Sequence, residues 1–422
     1  MTTIIAFIII FGILVIVHEF GHYFFAKKSG ILVREFSVGM GPKAFSMRRN
    51  GTAYTLRWLP LGGYVRMAGL GDDELELEPG TAVSLLLDDT GKVRTINTSD
   101  KVTTVNGIPM QIVKTDLERD LYVEGYENGD ESQVKRYFVN HDATIIEEDG
   151  TEIQIAPLDV QFQSVSLPKR MMTNFAGPMN NFILAILAFI LVGFMQGGPI
   201  KDNNEIGQIE ANSPAARSGL VAGDRIVAVN GHKTKDFNAY SARISAQPNK
   251  KIKVTIDHKG QESVKTIKTT SQTSNKKKVG LIGVSPARDQ SLGAKVSYGF
   301  TETWSLTTQI FTVLGSFFTG GFSLNKLAGP VGIYSMTNSF ASQGLLGLTF
   351  FLGYLSLNLG IMNLIPIPAL DGGKLLLNLI EAVRGKPVSE EHEGIITLIG
   401  VGFLVILMLL VTWNDIQQFF VR

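Results

Sequence analysis

Four stretches of the chain are almost wholly apolar and long enough to cross a bilayer, which takes about 20 such residues. They cover residues 1–26, 174–196, about 345–365 and 394–414. A signal peptide is the other reading of the first. It has no basic residue before Lys27 and no short apolar core followed by a small-residue cleavage site, so a retained span fits better. A fifth stretch, 304–322 within 301–343, is apolar but studded with Thr, Ser and Gly, and predicts an amphipathic or interfacial helix. Residues 27–70 change period. Alternating AFSM and AYTLRW flank Arg49-Asn50-Gly51-Thr52, which predicts a tight hairpin, and Gly62 to Met67 predicts a further strand after Leu59-Pro60. This sheet follows the first span directly and is expected at the membrane. The pattern predicts a polytopic α-helical membrane protein with four transmembrane helices, a membrane-associated β-sheet and soluble parts.

Composition divides those soluble parts. Residues 71–165 are strongly acidic: 21 of the 38 Asp and Glu lie between Asp72 and Asp159, against 7 Lys and Arg. The segment has β-like pieces and no chemical motif, so it reads as a solvated insertion. Over the whole chain 39 basic residues balance the 38 acidic ones, which argues against a nucleic-acid partner. Cysteine is absent, which excludes disulfides, thiolate metal sites and cysteine nucleophiles. Basic residues set the orientation. Lys27, Lys28, Arg34, Lys169 and Arg170 flank the first inter-span region, and Arg384 and Lys386 lie in the short loop 374–393. Those two regions are expected in the cytoplasm. The region between spans two and three, and both termini (the last being 415–422), are expected outside.

Residues 200–287 form the second soluble part. Ser213-Pro214-Ala215-Ala216 is followed by Gly219-Leu220, Gly223-Asp224-Arg225-Ile226 and Val229-Asn230-Gly231. This pattern resembles bacterial PDZ domains, which bind extended peptides by adding a strand to a sheet edge. The resemblance makes this an extracytoplasmic PDZ-like α/β domain. Gly280, Leu281, Ile282 and Gly283 look like its peptide-binding loop, an ordinary strand being the alternative.

Candidate chemistry is concentrated in His18-Glu19-Phe20-Gly21-His22. On a helix, positions i and i+4 share a face, so both imidazoles can hold one metal ion. Glu19 beside them can take the proton of an attacking water. An ionisable cluster inside a membrane span is costly and by default functional. A hydrolytic zinc site usually takes three protein ligands. Asp371, in Leu370-Asp371-Gly372-Gly373 at the end of the third span segment 344–373, is expected at the same depth; Glu381, Glu390 and His392 belong to the loop beyond. Pro366 and Pro368 interrupt regular helix there.

H-E-x-x-H in the first span, N-x-x-P-x-P-x-L-D-G-G from Asn363 to Gly373 and the PDZ-like domain between them resemble the site-2 protease family of intramembrane zinc metalloproteases. The likeness is to the bacterial RseP/RasP-like branch with a single PDZ domain, and it spans nearly the whole chain. Phe175-Ala176-Gly177-Pro178 with Asn181-Phe182 also looks like a family element. The resemblance implies Zn2+ held by His18, His22 and Asp371, with Glu19 as catalytic base. It implies substrates that are single-span proteins already trimmed outside the membrane, such as anti-sigma factors, and remnant signal peptides, in regulated intramembrane proteolysis and stress response. Asn363 would hold the unwound substrate, and Gly62, Gly63 and Tyr64 would line its path. Asn181 is grouped with them, a structural contact between spans being the open alternative. The PDZ-like domain would bind a newly cut C-terminus or exclude bulky ectodomains. Two other classes stay open: a non-catalytic PDZ-bearing membrane scaffold, which predicts no metal, and a metal transporter using the same three residues.

Overall fold

The computed structural model describes residues 2–69, 77–148, 150–274, 277–321 and 323–418. The start of the acidic insertion, with Asp72, Asp73, Glu74 and Glu76, and the end of the C-terminal tail lie outside the described residues. The chain divides into two compact units, 1–186 with 305–422, and 187–304.

In the first unit α1 (Thr2–Ser29) leads into β1 (Val33–Arg49) and β2 (Thr52–Met67). The turn between the strands holds Asn50 and Gly51 at φ of 50° and 75°. Those left-handed values match the twist of a two-residue hairpin, and Asn and Gly adopt them at least cost. Gly62 to Met67 is not a separate strand but the far half of β2. Glu35 pairs with both Ala53 and Arg66, and Ser37 with both Thr55 and Tyr64. The two long strands therefore fold over so that segments 63–67, 33–38, 53–56 and 43–49 lie side by side. A polar knot fastens this curled sheet. Arg57 donates to Glu35 Oε1 at 2.8 Å, to the Tyr64 hydroxyl at 2.6 Å and to the Gly41 carbonyl at 2.7 Å; Thr55 donates to Glu35 at 2.6 Å. Burial works against the Glu35 carboxylate, but the hydrogen bonds from Thr55 and Arg57 outweigh it and hold the group below the ordinary carboxylate range.

The acidic insertion is more ordered than its sequence suggests. It contains β3 (Ala82–Leu87), β4 (Val93–Asn97), β5 (Ile108–Asp116), β6 (Tyr122–Glu127), β7 (Val134–Ile146) and β8 (Glu152–Gln154). The sheet order is β4-β3-β5-β6-β7-β8, and β4 pairs in parallel with β7. That pairing closes five strands into a small barrel around Leu85, Val93, Ile96, Ile112, Val123 and Ile145. The acidic residues decorate a folded apolar core; closure also removes the open edges that would invite aggregation.

Helix α2 (Leu167–Met195) begins in this unit and carries Pro178 in its interior. After the second unit come α6 (Pro330–Ala341), α7 (Gly344–Leu364), α8 (Asp371–Arg384) and α9 (Glu390–Ile416). Among the described residues four helices are long and apolar enough to cross a membrane: α1, α2, α7 and α9. They cover the four expected spans, but α2 begins seven residues before the expected 174 and the third span ends at Leu364. The chain is extended at Ile365, and Ala369 takes φ 77°. Asp371 therefore opens a separate helix instead of ending the span, and most of the expected loop 374–393 is helical. Gly372 and Gly373 permit this turn: a Cβ on either would strike the carbonyls of Leu364, Ile365 or Ile367. A bidentate pair of Arg170 with Glu381, at 3.0 and 2.5 Å, ties the start of α2 to α8. Asp415 of α9 accepts from the Gly329 and Gly332 amides at 2.9 and 2.8 Å, capping α6, whose own N-cap is a glycine.

The second unit holds the end of α2, then β9 (Ile206–Ile209), α3 (Pro214–Arg217), β10 (Arg225–Val229), β11 (His232–Lys233), α4 (Phe237–Ser245), β12 (Lys251–His258), β13 (Gln261–Lys268), β14 (Thr270–Ser274), β15 (Lys277–Leu281) and β16 (Val284–Pro286). The main sheet runs β11-β10-β12-β13, with β16 pairing to β9 and β14 to β15. Ser213 and Asp236 cap α3 and α4 with side-chain oxygens. Asn230 and Gly231, both at positive φ, make the expected turn between β10 and β11. The core gathers Ile226, Val229, Tyr240, Ile244, Ile252 and Val254. The unit closes with the start of α5 (Leu292–Phe318), so the apolar stretch expected from residue 304 is the second half of a helix that begins twelve residues earlier.

Candidate metal centre and substrate strand

His18 and His22 lie one turn apart on α1, and the first turn of α8 brings Asp371 to them. Asp371 Oδ2 is 3.2 Å from His18 Nε2 and 3.4 Å from His22 Nε2, and the two Nε2 atoms are 3.3 Å apart. Ligands of a tetrahedral zinc at ~2.0–2.1 Å lie ~3.3–3.4 Å from one another, which is the spacing found here. Asp371 Oδ2 is buried and accepts no hydrogen bond, so its burial lacks a partner that a cation would supply. Two neutral imidazoles and a carboxylate are also a common donor set for hydrolytic zinc. By geometry, burial and chemistry the residues fit the ion.

The surroundings orient the two imidazoles. His22 Nδ1 lies 2.8 Å from the Thr173 carbonyl of α2. A carbonyl only accepts, so Nδ1 carries the hydrogen and Nε2 presents its lone pair to the centre. Asn181, also on α2 and fully buried, lies 3.0 Å from His18 Nδ1. The α2 backbone comes unusually close. A Cβ on Gly21 would strike the Ala176 carbonyl, and one on Gly177 would run into the His22 ring at Nε2 and stand 2.8 Å from His18 Cε1.

The sequence marked Gly177 only as part of a family-like element, with no role, and gave no sign of Thr173. The available signal for the first was Gly-Pro inside an apolar span, since two poor helix formers together imply a backbone contact worth their cost. Thr173 acts through its backbone, which no side-chain pattern reveals.

The expected substrate residues divide. Gly63 sits against α1, where a Cβ would stand 3.3 Å from Glu19 Cγ and 2.7 Å from Val15 Cγ1. Its strand segment, 63–67, pairs with 33–38 on one side and with no other described strand on the other. Gly62 has φ +77°, which favours glycine. The Tyr64 hydroxyl is held by Arg57. Asn363 is on the last turn of α7, half-buried, with its amide donating one turn back to Leu359 at 3.1 Å. Asn181 stands apart from these, against His18, which fits the structural alternative for that residue.

In the second unit Gly280, Leu281, Ile282 and Gly283 line one wall of a cavity of about 420 Å³, opposite Phe237, Tyr240 and Ile244 of α4. Gly280 has to be small, because a Cβ would meet the Ile244 and Gln247 carbonyls at 2.5 and 2.7 Å.

Comparison with known proteins gives the family. The model of Peptidase family M50 matches residues 6–407. A protein of Enterococcus faecalis named probable protease eep is 53% identical over 422 residues, covering 100% of both chains. One from Lactococcus lactis, described as a candidate zinc metalloprotease, is 47% identical over 433 residues, covering 100% of this chain and 99% of its own. Another so described, from Streptococcus pyogenes serotype M6, is 51% identical over 427 residues, covering 100% of both. Among solved structures, the PDZ domain of an SdrC-like protein from Listeria monocytogenes aligns with 21% of this chain and 90% of its own, at 21% identity and a TM-score of 0.18. The chain belongs to peptidase family M50, the site-2 proteases. It is a membrane zinc metalloendopeptidase of a family whose general activity is intramembrane proteolysis.

Proposed function

We propose that His18, His22 and Asp371 hold the zinc ion, that Glu19 is the catalytic base, and that the protein cuts transmembrane segments of single-span proteins. The spacing of 3.2 to 3.4 Å among the three ligand atoms carries this reading. When bound, Zn2+ supplies a Lewis acid for the scissile carbonyl and makes water nucleophilic at neutral pH. Glu19 takes the proton of the attacking water and passes it to the leaving amine. The Thr173 carbonyl fixes the His22 ring through its Nδ1–H, and the α8 N-terminus favours the Asp371 carboxylate.

A helical substrate hides its peptide bonds, so cleavage requires local unwinding into a strand. Segment 63–67 offers, on the side away from 33–38, a backbone edge to which no other described strand pairs and on which that strand can lie, with Gly63 letting it approach Glu19. The Arg57–Glu35 knot keeps the edge rigid. Asn363, at the end of α7, is placed to hold the unwound chain. Substrates of this kind are anti-sigma factors after ectodomain trimming and remnant signal peptides. The basic residues of the first and third loops support a centre near the cytoplasmic face of a bacterial plasma membrane, with the PDZ-like unit and both termini outside.

His18→Ala and Asp371→Ala are each expected to lower bound zinc from about one per chain to a small fraction and to abolish cleavage, since two remaining ligands fall short of the three that hold a catalytic zinc. Metal analysis of detergent-purified protein checks this. Full zinc content in either variant overturns the ligand assignment. Replacing residues 206–287 by a short linker is expected to leave zinc content unchanged while altering which ectodomain sizes and C-termini are accepted. Loss of zinc in that variant contradicts a filtering or peptide-binding role.

A further inference from the structure

His18 and His22 occupy equivalent places in the candidate centre, yet their outer nitrogens meet different groups. For His22 the partner is a carbonyl, which can only accept, so the tautomer is fixed. For His18 the partner is a side-chain amide, which can donate or accept according to which way it is turned. With Asn181 Nδ2 3.0 Å from His18 Nδ1, the hydrogen would have to come from the amide. His18 would then carry its own hydrogen on Nε2, the atom that lies 3.2 Å from Asp371 and 3.3 Å from His22 Nε2. A protonated Nε2 has no lone pair to give. In this orientation Asn181 Oδ1 is also buried without a partner. Amide oxygen and nitrogen are nearly the same size, and their assignment follows from the hydrogen-bond network.

From this geometry we infer that Asn181 stands with its amide turned the other way, as a positioning residue whose Oδ1 accepts the His18 Nδ1 hydrogen and so fixes the zinc-binding tautomer. Oδ1 then gains the partner it lacks, and both imidazoles present Nε2 lone pairs to one point. Asn181 is itself held in place. Its backbone carbonyl accepts from Ser356 Oγ of α7 at 2.8 Å, and a Cβ on Gly360 would stand 3.2 Å from its own Cβ. Three helices thereby bear on one ligand: α1 carries His18, α2 carries Asn181, and α7 supports α2 at that residue. The role assigned here is distinct from a contact with substrate.

The inference rests on His18 being a ligand, so the experiment tests the two separately. Full-length wild type, Asn181→Leu, Asn181→Asp and His18→Ala are purified in detergent, and zinc affinity is measured by competition with a chromophoric chelator. Asn181→Leu is expected to weaken zinc ~10–100-fold, the usual effect of removing a hydrogen-bond partner of a ligand. Asn181→Asp, which keeps an acceptor in the same place, is expected to hold zinc more tightly than Asn181→Leu. Wild-type affinity in Asn181→Leu, or equal weakening in both variants, overturns the proposal. A measurement on wild-type protein is independent of how the variants fold: with ¹⁵N-labelled histidine, and His18→Ala to identify the signal, His18 Nδ1 is expected to report a bonded hydrogen, and an Nδ1 without one overturns the proposal. Retained zinc in His18→Ala would instead show that the ligand assignment is at fault.

Discussion

Glu19→Gln is expected to keep about one zinc per chain and to lose cleavage by ~10²–10⁴-fold, the range that general base catalysis contributes. The substitution leaves size and shape nearly unchanged and removes only the ability to take up a proton. Glu19 is not one of the three residues whose ligand atoms converge. It follows His18 directly on α1, about 100° further round the helix, and faces the substrate-strand side, where Gly63 makes room for it. Zinc analysis together with cleavage of a single-span model substrate separates binding from chemistry. Normal turnover would remove Glu19 as the base. Loss of zinc would make it a ligand, and the spacing argument for the other three would then need a fourth member. A scaffold that merely displays its PDZ-like unit would show no cleavage in either protein.

What the sequence made legible is what depends on local spacing. His18 and His22 share a face because four residues are about one helical turn, and the four spans follow from uninterrupted apolar length. Asn50-Gly51 announces its turn because few residues tolerate two left-handed positions in a row. Features set by distant pairings were hidden. The barrel in the acidic insertion closes through β4 and β7, strands some forty residues apart, while the 21 acidic residues of the segment made its composition point to solvent. The doubled pairing of segment 33–38 was likewise invisible, since Glu35 gives no local hint that it will face both Ala53 and Arg66.

The third span shows a subtler failure. Pro366 and Pro368 mark a break, but not how the chain leaves it. The positive φ of Ala369 and the backbone contacts of Gly372 and Gly373 turn the chain into a new helix, so that Asp371 projects from its first turn. The centre is thus assembled from the middle of one helix and the start of another, with a third helix behind both. Glycine is what allows such an arrangement, because imidazoles and a carboxylate can meet at 3.2–3.4 Å only if the backbones behind them come close.

Gly177→Ala puts that requirement to the test and is expected to have the largest effect of any change outside the ligands and the base. The added methyl would point into the His22 ring at Nε2 and stand 2.8 Å from His18 Cε1. It cannot be accommodated by a flexible side chain, since both neighbours are rings fixed by hydrogen bonds to α2 itself. Either the rings turn away from Asp371, or α2 retreats and takes the Thr173 carbonyl with it; both separate the ligand atoms. Zinc affinity is expected to fall by at least the ~10–100-fold seen when second partners of metal ligands are lost, and cleavage to fall with it. Overpacking of this kind also costs ~1–3 kcal/mol of stability, so the thermal midpoint should drop while the protein still purifies folded. Gly12→Ala on α1 is the control. A Cβ there meets nothing within 4 Å, and alanine is the better helix former, so zinc, activity and stability should stay at or above the original level. If Gly177→Ala binds zinc as tightly as Gly12→Ala does, then α2 does not press on the centre, and the close approach of α1 and α2 at Gly21 and Gly177 serves only packing.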